Sequence, residues 1–314
     1  MEERSRSATN SRRTEPAIDV VVVSYNSRDE LRPAVSELAD APGIHVVVVD
    51  NGSQDGSLDA IADLPVERIA LHENRGFSVG CNAGWRAGRA PYVLFLNPDA
   101  RIDETSLRAL VDVLEGERRV GLVGPRIVAT DGALDASQRR FHRVRTTFAS
   151  ALFLHRIVRG AAWVEDIVRD PAAYRSGGAC DWVSGACMLV RRDVLEAIGG
   201  FDERFFLYCE DEDLCKRIWN EGHEVRFEPL ATCVHAGGAS APRPSLFSVS
   251  SRSWLLYAQK HSSSTTVALE WAGLLLYGLT HAALSRDGAP ARIGHLKSVM
   301  SLLRPAGRGR PSVT

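Results

Sequence analysis

Two runs of four valines most constrain what this chain can fold into. Residues 20–23 and 46–49 both read Val-Val-Val-Val, and β-branched residues favour strands. The intervening stretch 29–38 carries apolar side chains at helical spacing. A helix between two strands makes a crossover, and crossovers of this length join parallel strands. We therefore predict an α/β fold in which helices flank a mostly parallel central sheet.

A third buried strand is predicted at 92–96, where Tyr-Val-Leu-Phe-Leu lies between two prolines. Pro98 cannot donate to a strand ladder, so the strand ends there and Asp99 follows it. Ligands of open α/β sheets bind at this carboxyl edge. A carboxylate there suits Mg²⁺ or Mn²⁺ bound to a nucleotide diphosphate. An ordinary Asn-Pro-Asp turn is the alternative interpretation of this stretch.

Polar residues also follow the first two strands. Ser24-Tyr25-Asn26-Ser27 follows the first, and Asp50-Asn51-Gly52-Ser53 follows the second and leads into a helix-like stretch at 58–64. Asp50 can accept a hydrogen bond from a base N–H, and Tyr25 can stack on a base. An Asx turn that caps the next helix is the alternative role for Asp50. No Gly-x-Gly-x-x-Gly motif follows the first strand, so a dinucleotide-binding fold is not supported.

Four consecutive acids at 210–213 follow the aromatic run 205–208 and precede apolar residues at helical spacing. Acids in the first turn of a helix are favoured by the helix dipole, which explains part of the cluster. The aromatic residues in front of them indicate a walled pocket, in which one of the carboxylates can act as a general base.

Composition excludes several classes of protein. The chain has 314 residues, 45% of them apolar, and a net charge of −1, which argues against nucleic-acid binding. Its six cysteines show no Cys-x-x-Cys spacing, so we expect reduced thiols in a cytoplasmic protein. Residues 1–17 are polar, without the apolar core of a signal peptide, and are predicted to form a disordered tail.

The motifs in their order resemble those of family-2 glycosyltransferases, in the rhamnosyltransferase-like branch. The resemblance covers roughly residues 18–240 and implies a GT-A (Rossmann-like) fold for that domain. It is carried by Val-Val-Ser-Tyr-Asn-Ser at 22–27, Val-Asp-Asn-Gly-Ser at 49–53, Asn-Arg-Gly-Phe at 74–77, Leu-Asn-Pro-Asp at 96–99, Gly-Ala-Cys-Met-Leu-Val-Arg-Arg at 185–192, Gly-Gly-Phe-Asp-Glu-Arg-Phe-Phe at 199–206, Glu-Asp-Glu-Asp-Leu-Cys-Lys-Arg at 210–217, and His235.

The resemblance implies a role for each matching residue. Asp211 falls on the catalytic base. Asp99 and His235 fall on ligands of Mg²⁺ or Mn²⁺, although Asn97 replaces the first acid of the family's Asp-x-Asp motif. The residues implied to bind the nucleotide sugar are Ser24, Tyr25, Asn26, Asp50, Asn51, Arg75, Asn97, Trp182 and Gly185.

The function implied is inverting, metal-dependent transfer of a sugar from a nucleotide diphosphate. The resemblance favours dTDP-L-rhamnose as donor over a UDP-hexose, and a polysaccharide or lipid-linked glycan as acceptor. Two alternatives stay open. A sugar nucleotidyltransferase would need a phosphate loop after the first strand, and a non-catalytic nucleotide- or glycan-binding module would tolerate loss of Asp99 or Asp211.

Residues 241–314 are predicted to form a C-terminal helical, membrane-proximal region with a basic tail. The apolar stretch 267–284 is nearly long enough to cross a bilayer, but Glu270 and His281 favour a packed or interfacial helix. Arg304, Arg308 and Arg310 can assist contact with the cytoplasmic face of the plasma membrane. The segment 138–160 mixes arginines with aromatic residues, which fits either a membrane surface or a solvated helix face.

Overall fold

The fold is built on a central sheet that starts from the two valine runs. Strand β1 (Ile18–Ser24) pairs in parallel with β2 (Ile44–Asp50), and helix α1 (Arg28–Ala39) connects them. The predicted strand–helix–strand unit is therefore confirmed. The computed structural model describes residues 17–237, 243–286 and 288–304. The predicted N-terminal tail, apart from Ala17, and Arg308 and Arg310 lie outside these residues.

The other elements follow in chain order, together with two short 3₁₀ turns at Asp59–Ile61 and Leu154–Arg156. They are β3 (Glu67–Ala70), α2 (Phe77–Ala87), β4 (Tyr92–Leu96), β5 (Ala100–Ile102), α3 (Glu104–Gly116), β6 (Val120–Val128), β7 (Leu134–Asp135), β8 (Gln138–Arg139), α4 (Val144–Ala151), α5 (Ala173–Ser176), β9 (Gly178–Ala179), β10 (Trp182–Val183), β11 (Cys187–Arg191), α6 (Arg192–Ala197), α7 (Glu210–Asn220), β12 (Glu224–His235), α8 (Arg243–His261), α9 (Ser264–Leu284) and α10 (Gly288–Leu303).

One local prediction is wrong. The helix-like stretch 58–64 forms only the single 3₁₀ turn Asp59–Ile61. Pro65 follows directly, and the residue before a proline is disfavoured in the helical conformation. The segment is then too short to recover the cost of helix nucleation.

The sheet is mixed but mostly parallel, as predicted. Its strands are ordered β3-β2-β1-β4-β11-β6-β12-β5. β3, β2, β1 and β4 run in one direction, and β6 and β12 share it, because β11 is antiparallel to both β4 and β6. Only β11 and β5 on this path run the other way. The carboxyl ends of β1, β2 and β4 therefore meet at one edge.

Hydrophobic side chains cover both faces of the sheet. Val20 and Val22 of β1 point into one core, which α1 and α3 close, and Val21 and Val23 point into the other, against α2, α6 and α7. This explains why all four valines are buried, since a strand of a doubly covered sheet reads as a continuous apolar run.

Three C-terminal helices pack together and against the sheet domain. α10 packs on α8 and α9, and α9 packs on α4. The predicted C-terminal helical appendage is confirmed. The predicted domain boundary at 240 falls within residues 238–242, outside those the structure describes, and the division into domains stays a prediction.

We predict that Gly84→Ala destabilises the protein by about 1–3 kcal/mol, the usual cost of overpacking a core. Gly80 and Gly84 bring α2 close to β1, and a methyl group at Gly84 would overlap Val21 Cγ1. Urea unfolding of both forms measures the difference.

The control is Gly116→Ala at the end of α3, where nothing lies within 4 Å of the added methyl. It should leave the free energy of unfolding unchanged or slightly raised, since alanine favours helix. Equal losses in the two variants would show that the close approach of α2 to β1 is unimportant.

Candidate active site

The first group of predicted site residues lies where β1 and β2 end. Asp50 is 6% exposed, and its Oδ2 accepts a hydrogen bond from the Ser53 N–H at 3.1 Å. Its Oδ1 is buried and has no hydrogen-bond partner among the described residues. This bond reaches three residues along the chain rather than the two of an Asx turn, and no helix begins at Ser53 for it to cap. An unpaired buried carboxylate oxygen is costly, so Oδ1 is available to a donor N–H of a ligand.

Two asparagines of this group hold the loops around Asp50. Asn51 Nδ2 donates to Asn74 Oδ1 at 3.0 Å, and Asn51 Oδ1 accepts from the Arg75 N–H at 2.9 Å. Asn26 Oδ1 accepts from the Gln54 N–H at 2.9 Å. These side chains shape the loops, whereas neither the Arg75 guanidinium nor the Tyr25 hydroxyl makes a hydrogen bond or ion pair within residues 17–237, 243–286 and 288–304. Ser24 is buried at the end of β1.

The predicted metal ligands lie side by side at the end of β4. His235 Nε2 is 3.2 Å from Asp99 Oδ1 and 3.3 Å from Asn97 Nδ2. The antiparallel pairing of β12 with β5 places His235 opposite Ala100, directly after Asp99. Asp99 is also held by the Gly237 N–H, which donates to Oδ2 at 3.0 Å.

Asp99 and His235 form an ion pair. Burial alone would raise the pKa of Asp99, but the hydrogen bond and charge of His235 hold it below its usual value. Burial alone would lower the pKa of His235, and Asp99 raises it instead. A metal would have to displace the His235 proton, as metal binding to histidine generally does.

These residues fit an ion that takes part of its coordination from a ligand. Across residues 17–237, 243–286 and 288–304, no group of three or more His, Cys, Asp or Glu side chains is placed to hold a metal by itself. Mg²⁺ is commonly bound through one or two protein ligands, waters and substrate phosphates. The pair Asp99 and His235, with Asn97 beside them, suits that mode.

Asp211 lies in the first turn of α7, where it is partly exposed. Its Oδ2 accepts a hydrogen bond from the Gly185 N–H at 2.9 Å. A methyl group at position 185 would lie 3.2 Å from Asp211 Cβ, so glycine allows this close approach. Burial raises the pKa of Asp211, and the N–H groups of Gly185 and Glu212 oppose that rise. A raised pKa makes a carboxylate a stronger base.

The chain enters α7 through two non-glycine residues in the left-handed region, Tyr208 at φ 71° and Cys209 at φ 64°. Each such residue costs about 1–3 kcal/mol, and strained residues of this kind cluster at functional sites. The bend places the aromatic run in front of the acids, as the sequence indicated.

The other acids of this turn are buried. Burial raises the pKa of Glu210 well above its usual value, and the neighbouring Asp211 adds to the rise. Burial also raises the pKa of Glu212 to about 8, although the His142 N–H donates to Glu212 Oε1 at 2.6 Å. Neither acid has both carboxylate oxygens paired among the described residues.

Asp213 is stabilised instead by a lysine, an arginine and a histidine. Lys260 Nζ lies 2.7 Å and His261 Nε2 lies 2.8 Å from its Oδ1, and Arg217 Nε donates to its Oδ2 at 2.8 Å. Burial would raise the pKa of Asp213, but these three partners hold it below its usual value. Two of them, Lys260 and His261, belong to the C-terminal helix α8.

His142 links the same turn to α9. Its backbone N–H binds Glu212, while its ring lies 3.1 Å from Asp166 Oδ2 and 3.0 Å from Glu270 Oε1. Burial would lower the pKa of His142, but the two carboxylates raise it to about 10. The imidazolium is therefore the form present at neutral pH.

A cavity of about 420 Å³, which we call the catalytic cavity, lies in front of Asp211. Five of the predicted site residues line it: Asn97, Trp182, Gly185, Asp211 and His235. Ser24 and Asp50 end β1 and β2, Tyr25, Asn26, Asn51 and Arg75 lie in the loops that follow β1, β2 and β3, and none of the six lines this cavity. Asp99 does not line it either, but contacts His235, which does. The structure thus divides the predicted residues into two groups along one sheet edge.

Sequence reasoning missed part of the cavity wall. Ser250 and Trp254 come from α8, thirty or more residues after the end of α7 along the chain, and no local pattern marks them. Arg139 was noted only as one of several arginines in the segment 138–160. Its charge lowers the pKa of Asp211, and its guanidinium lies 5.7 Å over the Trp182 ring.

The family model described as Glycosyl transferase family 2 matches residues 19–199, which is 181 of the 314 residues. This chain belongs to glycosyltransferase family 2. It is therefore an enzyme that transfers a sugar from a nucleotide-sugar donor to a glycan or lipid-linked acceptor. The match does not favour the nucleotidyltransferase or binding-module alternatives.

Named relatives agree with the rhamnosyltransferase-like branch. The N-acetylglucosaminyl-diphospho-decaprenol L-rhamnosyltransferase of Mycobacterium tuberculosis is 30% identical over 282 residues, covering 81% of this chain and 88% of that protein. Rhamnosyltransferase WbbL of Escherichia coli K12 is 29% identical over 154 residues, covering 48% of this chain and 54% of that protein.

Solved structures agree with the GT-A fold. A mannosyltransferase from Pyrobaculum calidifontis, in complex with GDP-Man and Mn²⁺, has a TM-score of 0.55 at 18% identity and covers 93% of this chain and 82% of that one. Because the identity is low, this likeness shows the fold alone.

We predict that stability falls with rising pH partly through His142. Its pKa in the folded protein is about 10, above the unfolded value of about 6.5. The stability it contributes is therefore complete below about pH 6.5 and is lost as pH rises toward 10. At about 1.4 kcal/mol per unit of pKa difference, the loss amounts to a few kcal/mol. Urea unfolding at a series of pH values measures it.

In His142→Gln the free energy of unfolding should be lower near neutral pH and should fall less steeply above it. His155→Gln is the control, since the pKa of His155 is lowered by burial and by Arg156, and it is uncharged throughout this range. Parallel slopes in the wild type and His142→Gln would contradict the role of the ion pairs with Asp166 and Glu270.

Proposed function

We propose that this enzyme transfers a sugar with inversion from a nucleotide diphosphate to a hydroxyl of a lipid-linked glycan, using Asp211 as general base. The single observation that carries the proposal is the placement of Asp211. It is held by the Gly185 N–H, at the wall of a cavity that also contains Asn97 and His235. The proposed base thus faces the same space as His235, which contacts the other proposed metal ligand, Asp99.

The proposed donor is dTDP-L-rhamnose in preference to a UDP-hexose. Support comes from the names of the two relatives, which are both rhamnosyltransferases. The unpaired Oδ1 of Asp50 is the proposed acceptor for a base N–H, with Tyr25 and Arg75 beside it. Uracil and thymine present the same N–H, so Asp50 accounts for a pyrimidine but not for the choice between these two bases.

In the proposed mechanism Asp211 accepts the proton of the acceptor hydroxyl while the oxygen attacks the anomeric carbon. Attack from the face opposite the leaving diphosphate inverts the configuration and needs no covalent intermediate. Gly185 orients the carboxylate through its N–H, and Glu210 and Glu212 keep its surroundings poorly solvated. Loss of a general base costs roughly 10²- to 10⁴-fold in rate.

Asp99 and His235 are proposed to hold Mg²⁺ or Mn²⁺, with Asn97 next to them. When bound, the ion would neutralise charge on the leaving diphosphate. The mannosyltransferase of the same fold was solved with Mn²⁺, which supports a divalent ion without identifying which one this enzyme uses.

The C-terminal helices support contact with a membrane. In α10 the buried residues are Ala291, Gly294, His295, Ser298 and Leu302, of which only Leu302 is a large apolar side chain, while several large apolar side chains are exposed. The exposed residues Ile293, Leu296, Met300 and Leu303 fall at helical spacing on one face. We call these four residues the apolar stripe.

α9 repeats this inverted pattern. Glu270, Gly273, Gly278 and His281 are buried, whereas Leu269, Trp271, Leu279 and Leu284 are exposed. It is the one helix among the described residues with the length and composition to cross a membrane, and only 28% of its most apolar window is buried. Its buried polar residues favour a helix that lies on the membrane over one that crosses it.

Cationic side chains complete this surface. Lys297 of α10 and Arg304, which follows the end of α10, are exposed next to the apolar stripe. Lysine and arginine near a membrane attract anionic lipids, at about 1 kcal/mol each. We propose that the enzyme is cytoplasmic and binds peripherally to the cytoplasmic face of the plasma membrane, where a lipid-linked acceptor is exposed.

We predict that dTDP or UDP, but not GDP or ADP, raises the melting temperature, and does so only with Mn²⁺ or Mg²⁺. A ligand at about 100 times its Kd adds about 2.7 kcal/mol of stability. In Asp211→Asn this shift should persist while kcat falls roughly 10²- to 10⁴-fold. Thermal unfolding and a donor-consumption assay make the two measurements.

Asp112→Asn, an exposed acid of α3, is the matched control and should keep full activity. Near-normal turnover of Asp211→Asn would reject Asp211 as base. Absence of any shift with all four nucleotides would reject the nucleotide site.

We predict that the wild type sediments with vesicles that contain phosphatidylglycerol and less with vesicles of phosphatidylcholine alone. Leu296→Glu should weaken binding about tenfold or more, because burial of a leucine contributes about 1.5–3 kcal/mol. Leu230→Glu changes a leucine that is 84% exposed on β12 and should bind like the wild type. A stable dimer that needs Leu296, with no vesicle binding, would instead assign the apolar stripe to a second copy of the chain.

A further inference from the structure

A second cavity, of about 450 Å³, adjoins the catalytic cavity. Arg139, Trp182, Ser250 and Trp254 line both, so the two share one wall. The second cavity lies between the 139–169 segment and helices α8 and α9. Its volume is within the range of about 300–1,000 Å³ that is usual for small-molecule sites. None of the roles assigned above uses it.

The wall of the second cavity combines aromatic rings with hydroxyl groups. Trp182, Trp254, Phe247 and Tyr277 supply the rings, and Thr147, Ser150 and Ser250 are among the hydroxyl-bearing residues. Flat apolar faces interspersed with hydroxyls suit a ligand that has both apolar and polar parts. Trp254 is held in place by the His142 ring, whose centroid is 4.2 Å away.

Most charges of this wall are already paired within the protein. Arg169 Nε lies 3.0 Å from Glu165 Oε1. Asp166 Oδ2 accepts from Thr146 Oγ1 at 2.8 Å and lies 3.1 Å from His142 Nδ1. The pKa of His155 is lowered by burial and by Arg156, which favours the uncharged form of this ring.

Arg139 is the exception. Its Nε is buried and has no hydrogen-bond partner among the described residues, and no ion pair to its guanidinium is found within that part of the chain. Its guanidinium lies 5.7 Å over the Trp182 ring, and its charge also acts on the Asp211 carboxylate. A cation without a hydrogen-bonded partner, placed where two cavities meet, is suited to an anionic group of a ligand, and arginine binds phosphate with paired hydrogen bonds.

We propose that Arg139 binds the phosphate of a phosphate-linked sugar acceptor, whose sugar lies in the catalytic cavity and whose remaining part enters the second cavity. This proposal rests on the proposed function, since it places the acceptor hydroxyl next to Asp211 as the general base. Trp182 borders both cavities and packs against the sugar, while Arg139 fixes the distance between the phosphate and the reacting hydroxyl. Arg139 is a specificity residue for acceptors that carry phosphate.

The test compares two synthetic acceptors, octyl N-acetylglucosaminyl diphosphate and the uncharged octyl N-acetylglucosaminide. The wild type should prefer the diphosphate in kcat/KM by about tenfold or more, the usual gain from hydrogen bonds to a charged group. Arg139→Met should abolish the preference by raising KM for the diphosphate alone, and Arg139→Lys should retain part of it. Arg145→Met, an exposed arginine outside both cavities, should keep the full preference.

The alternative is that Arg139 binds the diphosphate of the nucleotide-sugar donor. Nucleotide binding by Arg139→Met distinguishes this alternative from the acceptor site. If Arg139→Met weakens dTDP or UDP binding and leaves the acceptor preference intact, Arg139 belongs to the donor site and the proposal is overturned. An unchanged preference with unchanged nucleotide binding overturns it as well, as does a wild type without any preference.

Calorimetry with the same two glycosides, without a donor, keeps this test separate from the proposed function. Tighter binding of the diphosphate by the wild type, lost in Arg139→Met, supports the acceptor site even where no transfer is observed. Equal binding of the two glycosides by the wild type overturns it. The melting temperatures of the variants show whether each is folded.

Discussion

The structure depends on the burial of acids in the first turn of α7, where Glu210, Glu212 and Asp213 are buried and Asp211 is partly exposed. Each buried carboxylate must be protonated or find a partner, since an isolated buried charge is very costly. The partners come from distant parts of the chain. Gly185 donates to Asp211, His142 donates to Glu212, and α8 supplies Lys260 to Asp213. One helical turn therefore ties the sheet domain to the C-terminal helices.

The four acids are consequently in different states. Asp213 is held ionised by its cations, and Glu210 is biased toward its protonated form by burial and by Asp211. Asp211 lies between these extremes, with a raised pKa and one N–H to orient it. The helix dipole favours acids in the first turn of a helix, but it does not distinguish one acid of that turn from the next. Their different partners explain how one of four similar side chains can serve as a base.

The C-terminal helices have two roles in this arrangement. Their inner faces carry polar residues such as Lys260 and Glu270, which pair with the catalytic turn or with His142. Their outer faces carry apolar residues such as Leu296. A membrane that receives the outer face would therefore stabilise the same helices that hold the acids and line both cavities. Binding to lipid and access of the acceptor to Asp211 would then both depend on the contacts that the C-terminal helices make with the rest of the protein.

The sequence by itself determined the parallel core of the fold and the sheet edge that carries the site. The valine runs predicted β1 and β2, and the apolar run before Asn97 predicted β4, because strands buried on both faces read as continuous apolar stretches. Asp50 and Asp99 were selected because each directly follows such a strand, whereas Asp211 was singled out among the four acids by the resemblance to family-2 glycosyltransferases. Only the tertiary structure decided what surrounds them. The pairing of His142 with Glu270, the place of Trp254 in the cavity wall and the unpaired Arg139 depend on contacts between residues far apart in the chain. Local sequence patterns do not predict such contacts, because side chains separated by a hundred residues meet only once the helices have packed.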